Sequence, residues 1–401
     1  MNTTQKILIL LALIALSTGA WAQIEVNNEE ELSAAVTNNG ATVLLTADIT
    51  LTNTLNITGK TLTLNLNGHT LDRGLTASAG DNGHVVKVSG GAEVTLLATG
   101  GGTITGGYAN KGGGMYIDSQ SKLSANGVTF TNNQATDHAG AIYNVGNLTL
   151  TNCTVSNNTA HDVGGLYNTR EGSTTPEIGW VHVTNCRFTG NTGSGGCGAI
   201  GNATDVYHMS IASSVIEGNT GGTNGGGIWS GGSILLENDS ILNNTAAEKG
   251  GGFWNESWCS VRNTVFLNNT AYDAGGFYNT DATAEIMDCT FSSNNGTHGC
   301  GAIGNADDAH TLNITNTVID GNSGGTQGGG IWSGNQLKLN GVTIQHNTAA
   351  QKGSGIYYYN GPLILKGNTL VKDNTDDDIF IENGKKITFD GALTEAPTAS
   401  A

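Results

Sequence analysis

Between Ala41 and Leu71, apolar and polar positions alternate along the chain. Val43, Leu45, Ile49, Leu51, Leu55, Ile57, Leu62, Leu64, Leu66 and Leu71 are separated by polar residues and by Thr-Gly and Asn-Gly steps. A period of two broken by such turns predicts short strands that each bury one face. Val85–Val88 and Val94–Leu97 continue in the same style, so residues 41–110 read as the first, less regular coils of one array. Ahead of them lies one helical pattern. Asn28 can cap it, Glu29–Glu31 suit its first turn, and Leu32, Ala35 and Val36 form an apolar face.

Beyond residue 104 the alternation becomes a two-part phrase that recurs about every 25 residues. Its first part is an apolar anchor followed by Asn, as in Phe130-Thr131-Asn132-Asn133. Its second is a glycine cluster with an aliphatic–aromatic step, as in Gly140-Ala141-Ile142-Tyr143-Asn144. The anchors fall at Phe130, Val155, Phe188, Ile216, Ile241, Phe266, Phe291, Ile319, Ile344 and Val371. A fixed period of this kind defines a solenoid, in which each repeat buries its apolar face by stacking on its neighbours. Helical repeats need longer amphipathic segments and fewer glycines, and a dense leucine signature is missing. An all-β, parallel β-helix (solenoid) fits best, with a short N-terminal capping helix over its open end. Roughly thirteen coils at about 4.8 Å each give a stack near 60 Å long.

A longer period lies on the short one. Cys186/Cys289, Cys197/Cys300, Trp229/Trp332 and Lys249/Lys352 are all offset by 103, and Phe130/Ile241 and Tyr143/Trp254 by 111. A four-coil block is duplicated, with extra residues around Arg170–Trp180 forming a protruding loop in the first copy. The domain reading is therefore 1–22 signal peptide, 23–40 N-terminal cap, 41–385 β-helix and 386–401 C-terminal tail. In the first of these, Lys6 precedes an apolar run ending at Leu16, and Ala20-Trp21-Ala22 offers a cleavage site. That marks an exported chain, and no later apolar run reaches membrane-spanning length.

The paired phrases Gly140–Ile142 and Phe130–Asn133 resemble the repeats of the polymorphic outer membrane proteins of chlamydiae and of related Gram-negative surface β-helices. The resemblance covers about residues 104–374. It implies a right-handed coil, an extracellular or outer-surface location in a Gram-negative bacterium, and a role in adhesion or host contact. The C-terminal translocating barrel of that family has no counterpart in the pattern after the repeats, which leaves anchorage open.

Composition narrows the partners. A net charge of −17 argues against nucleic acid, anionic membranes and polyanionic substrates, while 61 glycines and 3 prolines suit many tight turns. The aromatic step gives the first candidate binding surface: Tyr116, Tyr143, Tyr167, Trp229, Trp254, Tyr278, Trp332 and Tyr357 occupy one equivalent position, with Gly201 and Gly304 in the two Cys-containing coils. If Ile142 points inward, Tyr143 points outward, and its equivalents form an exposed stripe suited to sugar rings or a protein partner. The alternative is that these rings face inward or only stack on one another.

A second column, Asp137, Asp162, Glu248, Asp273 and Gln351, sits seven residues after each anchor. Stacked carboxylates at roughly 5 Å suit either glycosidase chemistry or a Ca²⁺ ion; otherwise they are solvated acidic turns. The Asp376–Asp378 run offers a further Ca²⁺ suggestion. Asn133, Asn158, Asn191, Asn219, Asn244, Asn269, Asn294, Asn322 and Asn347 would stack as a structural amide ladder. Among the six cysteines, Cys186–Cys197 and Cys289–Cys300, or Cys153–Cys186, are candidate disulfides, and buried free thiols are the competing reading. No zinc spacing, nucleophile elbow or phosphate loop occurs. The leading functional reading is a non-catalytic surface β-helix for adhesion or glycan binding. The alternatives are a polysaccharide hydrolase or lyase and a structural spacer.

Overall fold

The computed structural model describes residues 23–76, 83–171, 179–204, 206, 208–391 and the strand Ala399–Ser400. The signal-peptide segment 1–22 and most of the Arg170–Trp180 insertion lie outside the described residues. Each coil runs through up to four short strands, which stack into parallel sheets of 15, 13, 14 and 10 strands, named here A, B, C and D. One coil illustrates the path. Asn147–Thr151 lies in sheet A, Thr154–Ser156 in sheet B, Thr159–Ala160 in sheet D and Leu166–Asn168 in sheet C. The chain then returns to sheet A at Val181–Thr184.

All ten anchors are partners in one register of sheet B, from Phe130 opposite Val155 to Ile344 opposite Val371. Strand alternation turns every one of them inward, and all are buried. Phe266 and Phe291 stack at 4.4 Å between centroids. A coil's apolar face has nowhere to go except onto its neighbours, so burying each Phe contributes about 2–3 kcal/mol only when the stack exists.

The Asn doublets divide two jobs. Asn132, Asn157, Asn243 and Asn268 turn the corner with φ between 54° and 55°, and Gly190, Gly218 and Gly321 do so elsewhere at 63° to 67°. Asn tolerates this left-handed backbone and Gly has no Cβ to oppose it. The next residue builds the ladder. Asn219 Nδ2 donates to Asn244 Oδ1 at 2.9 Å and Asn244 Nδ2 to Asn269 Oδ1 at 3.1 Å, and the series continues from Asn133 through Asn347 to Asn374.

The N-terminal helix α1 (Glu29–Ala35) is capped by Asn28, whose side chain accepts from the Glu31 amide at 3.0 Å, and it buries Leu32 and Ala35. The 23–40 segment is more than a lid, however: Gln23–Val26 is a strand paired in parallel with Thr42–Leu45, so sheet A begins before the helix. At the other end, Ile387–Asp390 pairs with Leu363–Lys366, which extends sheet A into the segment read from sequence as tail.

Candidate functional site

The aromatic column runs down the outer side of sheet C. Register places Tyr116, Tyr143, Tyr167, Gly201, Trp229, Trp254, Tyr278, Gly304, Trp332 and Tyr357 in line, and Phe380 continues it. Ile142 points into the core, as the alternation requires. The expectation of an exposed stripe needs correction. Tyr143 and Tyr357 are only 1% and 4% exposed, and the others are half-buried. The cause is that the rings pack on one another: Tyr116–Tyr143 and Tyr143–Tyr167 stack at 5.5 and 5.7 Å, with interplanar angles of 14° and 18°. From Tyr116 to Trp254, and again at Tyr357–Phe380, the faces are largely spent on each other, so those stretches present ring edges and polar tips.

Gly201 does not interrupt the series. Tyr167 and Trp229 close over it to 6.3 Å, and a Cβ at Gly201 would meet Val163 Cγ2 at 2.6 Å and Tyr167 Cδ2 at 3.1 Å. At Gly304 the ring of Tyr278 takes the same space.

Two polar lanes flank the rings. At the N-terminal edge of the strands, cations lie over them: Lys111 over Tyr143, Lys249 over Tyr278 and Lys352 over Phe380, at 5.1, 5.1 and 4.1 Å. At the C-terminal edge, carboxylates from the next coil accept from the ring tips. Tyr143 Oη donates to Glu171, Trp229 Nε1 to Glu256 at 2.8 Å, and Tyr357 Oη to Glu382. Lys111 Nζ also reaches Glu171 at 2.6 Å. Burial raises the pKa of Glu256, against the lowering effect of the Trp229 hydrogen bond. Burial first, then the neighbouring carboxylates, raise the phenols of Tyr143 and Tyr357, the latter to about 12. These phenols stay protonated at neutral pH and are poor general bases there.

Asp137 and Asp162, and likewise Glu248 and Asp273, lie side by side in adjacent coils, with Asp162 N donating to Asp137 O and Asp273 N to Glu248 O. Lys249 lies close enough to Asp273 to lower its pKa, against a larger raising effect of burial. Between Asp137 and Asp162 stands His138. Its Nδ1 is 2.7 Å from Asp162 Oδ2 and its Nε2 is 3.6 Å from Asp137 Oδ2. Both carboxylates therefore face an imidazole, not an open cleft between them. The Asp376–Asp378 run has structural work: Asp377 accepts from the Gly353 and Ser354 amides, and Asp378 from Asn374. Among the described residues, two depressions of about 480 and 440 Å³ are open and lie on the outer faces of sheets D and A. Neither includes the aromatic column.

All six cysteines are buried and free, so the disulfides Cys186–Cys197, Cys289–Cys300 and Cys153–Cys186 are not formed. Cys153, Cys186 and Cys289 take the place of hydroxyls in another ladder. Ser214 Oγ donates to the carbonyl two residues back and accepts from the amide of the coil before, Cys186 N. Cys186 Sγ likewise donates to Thr184 O and accepts from Cys153 N at 3.3 Å. Cys197 Sγ instead donates to Ile200 O, and burial raises this thiol's pKa to about 12.

Sequence reasoning missed several features. A second amide ladder runs inside sheet C through Asn144, Asn168 and Asn202, and again through Asn255, Asn279 and Asn305. Its signal was the Asn two places after Ile142, Leu166, Ile200, Phe253, Phe277 and Ile303, the inward residues of the glycine phrase in those coils. Trp180 and Trp258, 40% and 45% exposed, project just before strands of sheet A, and Trp180 stacks on His208 at 4.3 Å. Both stand outside the repeat phrase.

No family profile and no curated protein matches the chain. Among solved structures it is similar to one described as the crystal structure of Agl-KA catalytic domain. The TM-score is 0.40 and the identity 12%, over 94% of this chain and 69% of that one.

Proposed function

We propose that the chain is an exported β-helix that holds a neutral carbohydrate chain along the outer side of sheet C without cleaving it. The carrying observation is the polar flanking of the aromatic column: cations lie over Tyr143, Tyr278 and Phe380 on one edge, and carboxylates accept from Tyr143, Trp229 and Tyr357 on the other, at points spread along the stack. Carboxylates and ammonium groups make the strong, directional hydrogen bonds that sugar hydroxyls accept or donate, and indole and phenol edges supply apolar contact between them. Regular spacing along a rigid axis matches a polymer better than a small molecule. The charge of −17 disfavours acidic polysaccharides. Outer-surface display in a Gram-negative bacterium, with adhesion as its purpose, is the wider role in which such a face would serve.

Catalysis is the less supported reading, because Asp137 and Asp162 enclose an imidazole, Lys249 lies beside Asp273 of the second pair, and the phenols are held protonated. A neutral-glycan array, followed by calorimetry on any hit and a reducing-end assay on the same polymer, tests the proposal. We expect binding that weakens at least about tenfold in the W229A/W254A pair, with no release of reducing ends. Release of reducing ends that is lost in D162N would replace binding by hydrolysis. A blank array at high protein concentration would remove the glycan reading altogether.

A further inference from the structure

From the grouping of Asp137, His138, His161 and Asp162 we infer a binding site for a zinc-class divalent cation. The coils put these four side chains together although they come from two separate turns. One ligand atom each from Asp137, His138 and Asp162 lies within 4.8 Å of the others, a spread that a single ion can close. His161 adds Nδ1 at 2.7 Å from Asp162 Oδ1 and is exposed, so a second imidazole can swing in.

Three further observations favour a metal over a plain ion-pair cluster. The His138 ring is held in place before any ligand arrives, stacked on Tyr167 at 4.7 Å and 8° and on Tyr143 at 6.1 Å. Its buried Nδ1 faces Asp162 Oδ2 at 2.7 Å but off the line that a hydrogen bond requires, so the nitrogen is at contact distance without being satisfied. The backbone fixes the two acids relative to each other through the Asp162 N to Asp137 O bond of 2.9 Å.

The duplicated block supplies an internal control. At an offset of 111, Asp137 and Asp162 correspond to Glu248 and Asp273, while His138 and His161 correspond to Lys249 and Tyr272. The second copy thus keeps both acids and replaces both imidazoles, one of them by a fixed ammonium that cannot be a ligand. In the first copy the counter-charge is left to an ion. Mixed imidazole and carboxylate donors select zinc, cobalt or nickel over calcium, which prefers six to eight oxygens.

The test is titration of the chelator-stripped full chain with Zn²⁺ by calorimetry, and with Co²⁺ by its visible absorption bands, Ca²⁺ serving as comparison. We expect one equivalent of Zn²⁺ and of Co²⁺ to bind more tightly than Ca²⁺, with affinity at least about tenfold lower in H138K/H161Y. That variant carries only residues the second block already accommodates, and a circular dichroism spectrum matching the parent's is the check that it folds. Titration without a heat or a cobalt spectrum, Ca²⁺ binding in preference to Zn²⁺, or unchanged affinity in H138K/H161Y would each overturn the assignment. The result does not depend on whether any glycan binds.

Discussion

Ser230 Oγ donates to the Gly232 carbonyl at 2.6 Å, and Asn255 Oδ1, opposite it in the next coil of sheet C, is left buried without a donor. The amide ladder that descends through Asn202 ends on Ser230, because a hydroxyl has one hydrogen and this one is already committed. A new run has to start at Asn255. An amide at position 230 would have two hydrogens, one for Gly232 O and one for Asn255 Oδ1, as Asn144 divides its own between Gly146 O and Asn168 Oδ1. Ser230→Asn should therefore join the two runs and stabilise the protein by about 1 kcal/mol. Equilibrium urea unfolding checks it; an equal or lower midpoint would mean that the ladder does not act as one connected element.

The ladder in the turns after sheet B carries a heavier penalty when broken. Asn244 Oδ1 accepts both Asn219 N and Asn219 Nδ2, at 3.0 and 2.9 Å, and its own Nδ2 donates to Ile216 O at 2.9 Å. All of these groups are buried with no route to water. Asn244→Ala orphans them together and should cost about 3 kcal/mol or more. Exposed Asn56→Ala should stay within about 0.5 kcal/mol. Similar losses for the two would show that the buried amides are not the source of coil-to-coil stability.

The two ladders explain what could and could not be read beforehand. The first lay beside the Phe130-type anchors, whose spacing already marked the coil, so each Asn could be placed by counting. The second was hidden because Asn144 follows a conspicuous Tyr and is replaced by Ser230 and Ser333 in two coils. The cysteine positions misled for the same reason: a thiol at Cys186, a hydroxyl at Ser214 and a carboxylate at Asp239 are different letters accepting the same kind of bond. Sequence showed that the aromatics shared a column. It could not show that their faces would be consumed by stacking, or that Glu256 would reach Trp229 from the next coil, since both depend on the inter-coil distance and on side-chain lean.

That lean makes one substitution behave against the repeat. Aromatics occupy the column on both sides of Gly201, so Gly201→Tyr looks like completion of the pattern. The space is already taken by Val163, Tyr167 and Trp229. We expect destabilisation by about 2–3 kcal/mol, partly recovered by adding Val163→Ala, which removes the closest clashing atom. Thermal unfolding of the single and double variants checks this, and a Gly201→Tyr protein as stable as the parent would mean that the neighbouring rings move apart freely.

Asp239 makes stability depend on pH in the direction opposite to most carboxylates. It is 1% exposed, accepts from Ser214 N at 2.8 Å and Glu237 N at 3.0 Å, and has its pKa raised by burial from 3.8 to about 7. The folded form keeps the proton where the unfolded chain has released it, between about pH 4 and 7. The stabilising contribution is therefore complete below about pH 4, fades as pH rises through that window and is gone above it, a loss on the order of 2–4 kcal/mol. Ser214 and Thr264 hold the equivalent position in the coils on either side, and each donates to the carbonyl two residues back without carrying charge. Asp239→Thr should thus be more stable than the parent at pH 8 and close to it at pH 4.5. Denaturant unfolding at both values isolates the residue from the general self-repulsion of an acidic chain, because that background is nearly shared by parent and variant. A gap of the same size at both pH values would mean that Asp239 does not titrate within the folded stack.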